Sequence, residues 1–201
     1  VWGTAFATWQ YSHRVEMRWA ALWPAAFAGL LASLAGAWLV TVISPDFLRR
    51  VLPFVLLLVL VYTLLKKELG RSHAPRFADN RERWIGVGIG LLSGFYDGFF
   101  GPGTGSFLVF LYVRVLGYDF LNASAAAKLI NAATNVSALL LFIAKGHIWW
   151  HFVLLMAVAN VLGSLLGTRM ALKHGTGFVR GVFLLVVTAL ILKTGVDAFL
   201  K

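Results

Sequence analysis

The chain is built of long apolar runs separated by short polar breaks. "AALWPAAFAGLLASLAGAWLVTVI" and "VLPFVLLLVLVYTLL" carry no charge and show no alternation of period two. Runs of roughly 20 apolar residues match the hydrocarbon thickness of a bilayer. An outer-membrane barrel would need alternating segments of about 10 residues instead. The pattern predicts an all-α, polytopic helical membrane protein. Residues 1–12 look like the tail of a helix, and spans are expected at 18–43, 47–66, 84–100, 121–144, 148–172 and 178–199. "SFLVFLYVRVLG", 106–117, would reach only ~18 Å of a ~30 Å core, so a half-helix or re-entrant segment is expected there.

Composition agrees with this reading. Hydrophobic residues make up 60% of the 201 and charged residues 13%, against about a quarter charged in soluble domains. The net charge of +10 raises the question of nucleic acid. The basic residues, however, fall mostly between apolar runs, where they orient helices, and no nucleic-acid partner is expected. The linker "KKELGRSHAPRFADNRERW", 66–84, holds six Lys or Arg residues, which assigns it to the cytoplasm of a multi-pass inner-membrane protein. A lipid- or calmodulin-binding role for it is the weaker alternative. Tryptophans near helix ends need only an interfacial explanation. Without cysteine there are no disulfides or thiolate metal sites. The histidines are assigned no chemistry, and no metal or cofactor is expected.

A shift of 131 residues lays "RWAALWPAAFAGLLASLAGAW" over "WWHFVLLMAVANVLGSLLGTR", and "FLRRV" at 47–51 over "FVRGV" at 178–182. Aligned Ser-Leu-x-Gly followed by aligned Phe-x-Arg-x-Val points to two tandem repeats, a hallmark of secondary transporters. The division is 1–66 for the remainder of a first repeat, 67–83 for the basic linker and 84–201 for the second repeat. With the linker inside, "HRVEMR" at 13–18 is inside and its counterpart "KGHIWW" at 145–150 is outside, provided that 84–117 enters and returns. The halves are then inverted; one broken spanning helix would make them parallel. The broken segment's own counterpart would lie upstream of Val1, so the chain is expected to lack a first broken helix.

"GFYDGFFGPGTGSF", 94–107, interrupts the apolar pattern. Gly and Pro at 101–105 should unwind the helix, and freed backbone groups in hydrocarbon must line a cavity or bury against protein. A plain tight turn at the membrane surface is the bland alternative. A helix restarting near Ser106 would aim its N–H groups and positive partial charge at the gap. In "NASAAAKLINAATNVS", Ser124, Lys128, Asn131 and Asn135 share one helical stripe. The expected binding set is Gly101, Gly103, Thr104, Gly105, Ser106, Lys128, Asn131 and Asn135, suited to a small oxyanion. Lys128 could instead snorkel, and the two asparagines could bond neighbouring helices. Asp97 is the candidate for coupling or proton transfer; pairing with Lys128 or capping the unwound stretch are its other roles. Gly163 and Gly167, with Ala32 and Gly36 as repeat counterparts, are read as a small-residue packing seam.

"GFYDGFFGPGTGSF" together with "AKLINAATN" resembles the sulfite exporter TauE/SafE family of membrane permeases, most strongly over 84–180. "VWGTAFATWQYSHR" is similar to the tail of that family's first-repeat motif helix. The resemblance implies movement of a small sulfur-containing or carboxylate anion, such as sulfite or a sulfonate. Partners are then a small anionic substrate and the lipid bilayer, with a homodimer left open. A channel or a non-transporting scaffold is the main alternative. An intramembrane aspartyl protease is a further one, because Tyr96-Asp97 matches the first half of its motif and Asp119 is the nearest second acid. No enzyme is expected.

Overall fold

The computed structural model describes residues 1–40, 53–54, 56–58, 60–61, 64, 70, 72–101, 103–144 and 150–199. Most of the expected span 47–66, including "FLRRV", lies outside the described residues, as do Pro102, the 145–149 turn and parts of the linker. The described residues hold helices and no strand. These are α1 (Trp2–Ser12), α2 (Trp19–Val40), α3 (Asp79–Phe99), α4 (Thr104–Leu111) running into a π-helical turn (Tyr112–Leu116), α5 (Phe120–Ala144) and α6 (Trp150–Phe199). Two stretches, Trp19–Leu39 and Leu155–Asp197, are long and apolar enough to cross a bilayer. Large apolar side chains such as Phe27, Leu155, Met156 and Leu185 stand on the outer surface. An apolar exterior of this kind is stable against lipid, not water.

α2 and α3 run side by side in the same direction, in a register set by small residues. Ideal Cβ atoms on Gly90, Gly94 and Gly98 would fall 2.1, 2.2 and 2.0 Å from the carbonyl oxygens of Ala25, Gly29 and Ser33. Backbones approach this closely only where no side chain intervenes. The pair is pinned at one end by charge. Arg18 bonds both Glu82 and Asp79, and Tyr118 Oη donates to Glu82 Oε1 at 2.5 Å. Glu82 is 1% exposed, so its carboxylate is buried with partners in place. These acids sit in the first turn of α3, where the helix N-terminus favours negative charge. They extend the helix back to Asp79, into what the pattern reads as linker.

The helix ends at Phe99, and the chain reverses through Gly101 (φ 77°) and Gly103 (φ 86°), both left-handed. α4 and the π turn then run back. Leu108, Tyr112, Val113 and Leu116 are buried among the other helices. The segment's far end returns to its starting level: Arg76 N donates to Leu116 O and Ala74 N to Gly117 O, each at 3.0 Å. Gly117 (φ 81°) is required there, because a Cβ would meet Ala74 O at 2.3 Å. α5 starts from this level and packs on α2 through Ser33 Oγ to Thr134 O (3.2 Å) and Ser137 Oγ to Leu30 O (2.9 Å).

The expected helices 148–172 and 178–199 form one element broken at Gly175 (φ 71°, ψ −163°). Its first arm lies parallel to α1: Gly3 N donates to Asn160 Oδ1 at 3.0 Å, and Ser164 Oγ bonds Gly3 O. The second arm returns beside α5, with Phe183 against Phe120 (rings 5.3 Å apart). Among the described residues nothing lies within 4 Å of a Cβ built on Gly163 or Gly167. Of the expected packing seam, Gly36 is closely packed, with a Cβ there meeting Phe95 O at 2.3 Å, while Gly163 and Gly167 find no close partner among the described residues. The close approach is made by Gly36 of α2 and the glycines of α3, because these two helices run face to face.

Candidate functional site

The helix break and the polar stripe of α5 meet in a cavity of about 260 Å³. Gly105 and Ser106, in the first turn of α4, form one wall, and Ser124, Lys128 and Asn131 of α5 form the second. Val179, Val182, Phe183 and Val186, from the second arm of α6, close the third. Amides of a first helical turn have no partner within their own helix, and Gly105 and Ser106 of that turn line the same space as the lysine, so its partial positive charge lies nearby.

The approach of α4 to α5 depends on a glycine. A Cβ on Gly105 would come within 3.2 Å of Asn131 Nδ2. Asn131 Oδ1 is buried and finds no hydrogen-bond partner among the described residues. Lys128 is half-buried about 12 Å along α5 from Phe120, at 1.5 Å per residue. No carboxylate pairs with it among the described residues. One cation, one amide, two hydroxyls and a helix N-terminus thus converge on a space that is otherwise apolar. Such a space can hold a small anion by charge and hydrogen bonding, with its carbon portion against valine and phenylalanine.

The other expected residues are placed differently. Gly101 and Gly103 shape the reversal and do not line the cavity. A Cβ on Gly103 would contact Leu56 at 3.2 Å. Thr104 is buried, and its hydroxyl donates to Gly101 O at 2.8 Å. Asn135 lies one turn beyond Asn131, outside the cavity lining. Asp97 faces the side chains of Thr104 and Thr134, beside the start of α4, and makes no ion pair with Lys128. No side chain caps the start of α4, so Asp97 stands beside the break without capping it. Asp119 precedes α5 and accepts from Asn122 N at 2.7 Å, which makes it that helix's N-cap. Thr134, which faces Asp97, is 15 residues further along α5, or ~22 Å. The two acids cannot form an aspartyl pair.

Sequence reasoning missed Thr134 and the apolar wall from α6. Thr134 lies within the quoted "AKLINAATN" stretch and could have been found by its i+3 relation to Asn131. The valines had no signal, since they read like any lipid-facing residue. One pair of histidines, His147 and His151, stands four apart, a spacing that can place two ligands on one helix face. Residue 147 and the side chain of residue 151 lie outside the described residues. Among the described residues no three metal-ligating side chains cluster.

Helices with an apolar exterior, beside a mostly apolar cavity that Lys128 and Asn131 line, define a helical membrane protein. The chain belongs to the sulfite exporter TauE/SafE family, whose profile matches residues 1–194. It is 36% identical over 160 residues to the probable membrane transporter protein YfcA of Escherichia coli K12, covering 78% of this chain and 57% of that protein. It is 32% identical over 201 residues to the probable membrane transporter protein ORF9 of Sinorhizobium sp, covering 98% of this chain and 75% of that one. A probable membrane transporter protein of Haemophilus influenzae is 34% identical over 154 residues, covering 75% and 58%. The chain thus spans less than two thirds of the length of the YfcA relative. No solved structure matches.

Proposed function

We propose that this chain forms the anion-binding part of a secondary transporter, a multi-pass permease of the bacterial inner membrane. It moves a small organic or inorganic anion, of the sulfur oxyanion or sulfonate class. The observation that carries the reading is the convergence of Lys128, Asn131 and the first turn of α4 on one cavity. Its volume, about 260 Å³, falls below the usual range for drug-sized ligands, which favours a solute of a few heavy atoms. The apolar third wall suits a short carbon chain as well as a bare oxyanion. The relatives' names as probable membrane transporters support the same class.

Inverted repeats belong to this reading. α1 and the first arm of α6 run in the same direction, and α2 leads away from the level at which both end. The counterpart of α2 in the shifted alignment is that first arm, so the two counterparts run oppositely. The 79–117 segment, with its ends bonded together, serves as the re-entrant element. Asp97, at the break, is the proposed coupling group; pH-gradient-driven transport left intact in Asp97→Asn would remove it from that role.

The test is a thermal-shift screen of purified chain with sulfite, sulfate, sulfoacetate, lactate and chloride. At least one sulfur anion should raise the unfolding temperature of the wild type, leave Lys128→Ala unmoved and retain part of its effect in Lys128→Arg. Equal shifts in wild type and Lys128→Ala would overturn the site. Counterflow in vesicles then separates a carrier, which saturates and exchanges, from a channel.

A further inference from the structure

A second, larger cavity of about 680 Å³ lies between the end of α1, the start of α5 and the end of the first arm of α6. It shares only α5 and α6 with the anion cleft and none of its lining residues. Arg14, Arg169 and Lys173 line it, with Trp9 and Leu172 as apolar neighbours. All three cations are exposed, and no carboxylate pairs with any of them among the described residues. Gln10 lines the same cavity, and its side-chain oxygen is buried without a hydrogen-bond partner among the described residues.

Its place in the fold matters. The cavity opens at the level where α1 ends and α6 breaks at Gly175, beside the turn that starts α2. Helices with apolar exteriors converge there on polar chain. Three unneutralised cations at such a level repel one another and favour an anion between them. Basic pockets between transmembrane helices at this depth suit anionic lipid head groups. The indole of Trp9 and the side chain of Leu172 offer the apolar surface on which an acyl chain would begin. The Gln10 oxygen is an acceptor facing the cavity; a phosphodiester has no donor to offer it, and a glycerol hydroxyl supplies one.

The geometry points to a binding site for a glycerol-bearing phosphate: the cations take the phosphate oxygens, and the Gln10 carbonyl accepts from a hydroxyl. The head group of phosphatidylglycerol meets every requirement, and free glycerol phosphate shares the polar part. This site is independent of the transport reading and stands whether or not the cleft binds an anion.

The experiment is native mass spectrometry and thermal shift on the full chain in neutral detergent. Phosphatidylglycerol and phosphatidylcholine of equal chain length are compared, with glycerol 3-phosphate and inorganic phosphate as soluble arms. Phosphatidylglycerol should bind in preference to phosphatidylcholine, and Arg169→Gln or Lys173→Gln should each lower its occupancy about fivefold, the worth of one basic residue at an anionic surface. Lys193→Gln, which is outside the cavity, should not change it. Should a variant fail to fold, Arg14→Gln and Gln10→Leu supply the same comparison. A shift by glycerol 3-phosphate alone that is lost in the same variants supports the site with a soluble occupant. Equal binding of the two lipids, binding undiminished in all variants, or no binding in any arm overturns it.

Discussion

Gly94→Ala isolates the contact that joins α2 to α3. A methyl group at residue 94 would lie 2.2 Å from Gly29 O and 2.6 Å from Gly29 Cα. Both are backbone atoms, so no side chain can swing aside. Ordinary contact begins at 3.4 Å, and reaching it from 2.2 Å requires the helices to part by about 1.2 Å. A gap of 0.5–1 Å already forfeits a quarter to a half of each dispersion contact it opens. Overpacking of this kind costs about 1–3 kcal/mol, and the rigidity of both backbones places the expected loss at the upper end. For a chain of 150–250 residues that corresponds to a fall in unfolding temperature of roughly 5–10 °C. Gly163→Ala is the control. It belongs to the G-x-x-x-G read from sequence as part of a packing seam, yet its Cβ meets nothing within 4 Å among the described residues. Ala in place of an exposed helical Gly stabilises by up to about 1 kcal/mol, so this variant should be unchanged or slightly more stable. The assay is thermal unfolding in detergent, followed by intrinsic tryptophan fluorescence. Gly94→Ala unfolding at the wild-type temperature, or Gly163→Ala losing as much, would refute the register.

The ion cluster gives two further expectations. Arg18→Ala removes the charged partner of buried Glu82 and should cost about 2–3 kcal/mol, less than a fully buried pair because Arg18 keeps some access to solvent; Asp79→Asn, at the exposed member, should stay within about 1 kcal/mol, and unfolding temperatures compare the two. Burial first, and then the bond to Glu82, raise the Tyr118 phenol above the ordinary tyrosine range. Its neutral form is therefore favoured by folding, and its contribution is complete below the unfolded value near pH ~10. Above that pH the unfolded chain holds fewer protons than the folded one, so stability should decline as pH rises toward the folded value. A melting series across pH 9–11 should show a steeper decline for wild type than for Tyr118→Phe, and parallel curves would contradict this.

Local chemistry made much of the molecule legible from sequence alone. Apolar runs of bilayer length identified helices, because hydrocarbon leaves the backbone few other ways to satisfy its polar groups. The glycines at 101 and 103 announced the break, since left-handed φ is open to glycine at little cost. The three-and-four spacing of Ser124, Lys128 and Asn131 placed them on one face, which is a property of helix geometry alone. Tertiary structure decided what each of these meets. It put Gly36 and the glycines of α3 into backbone contact and left Gly163 and Gly167 without a described neighbour, because a small residue matters only where another backbone passes. It set Asp97 beside Thr104 and Thr134 with no ion pair to Lys128, left Asn135 outside the cleft, and brought four apolar residues of α6 into the cavity that Lys128 lines. It also gathered Arg14, Arg169 and Lys173 from remote parts of the chain into one cavity. Periodicity describes a helix's faces but not its neighbours, and both sites are made by the neighbours.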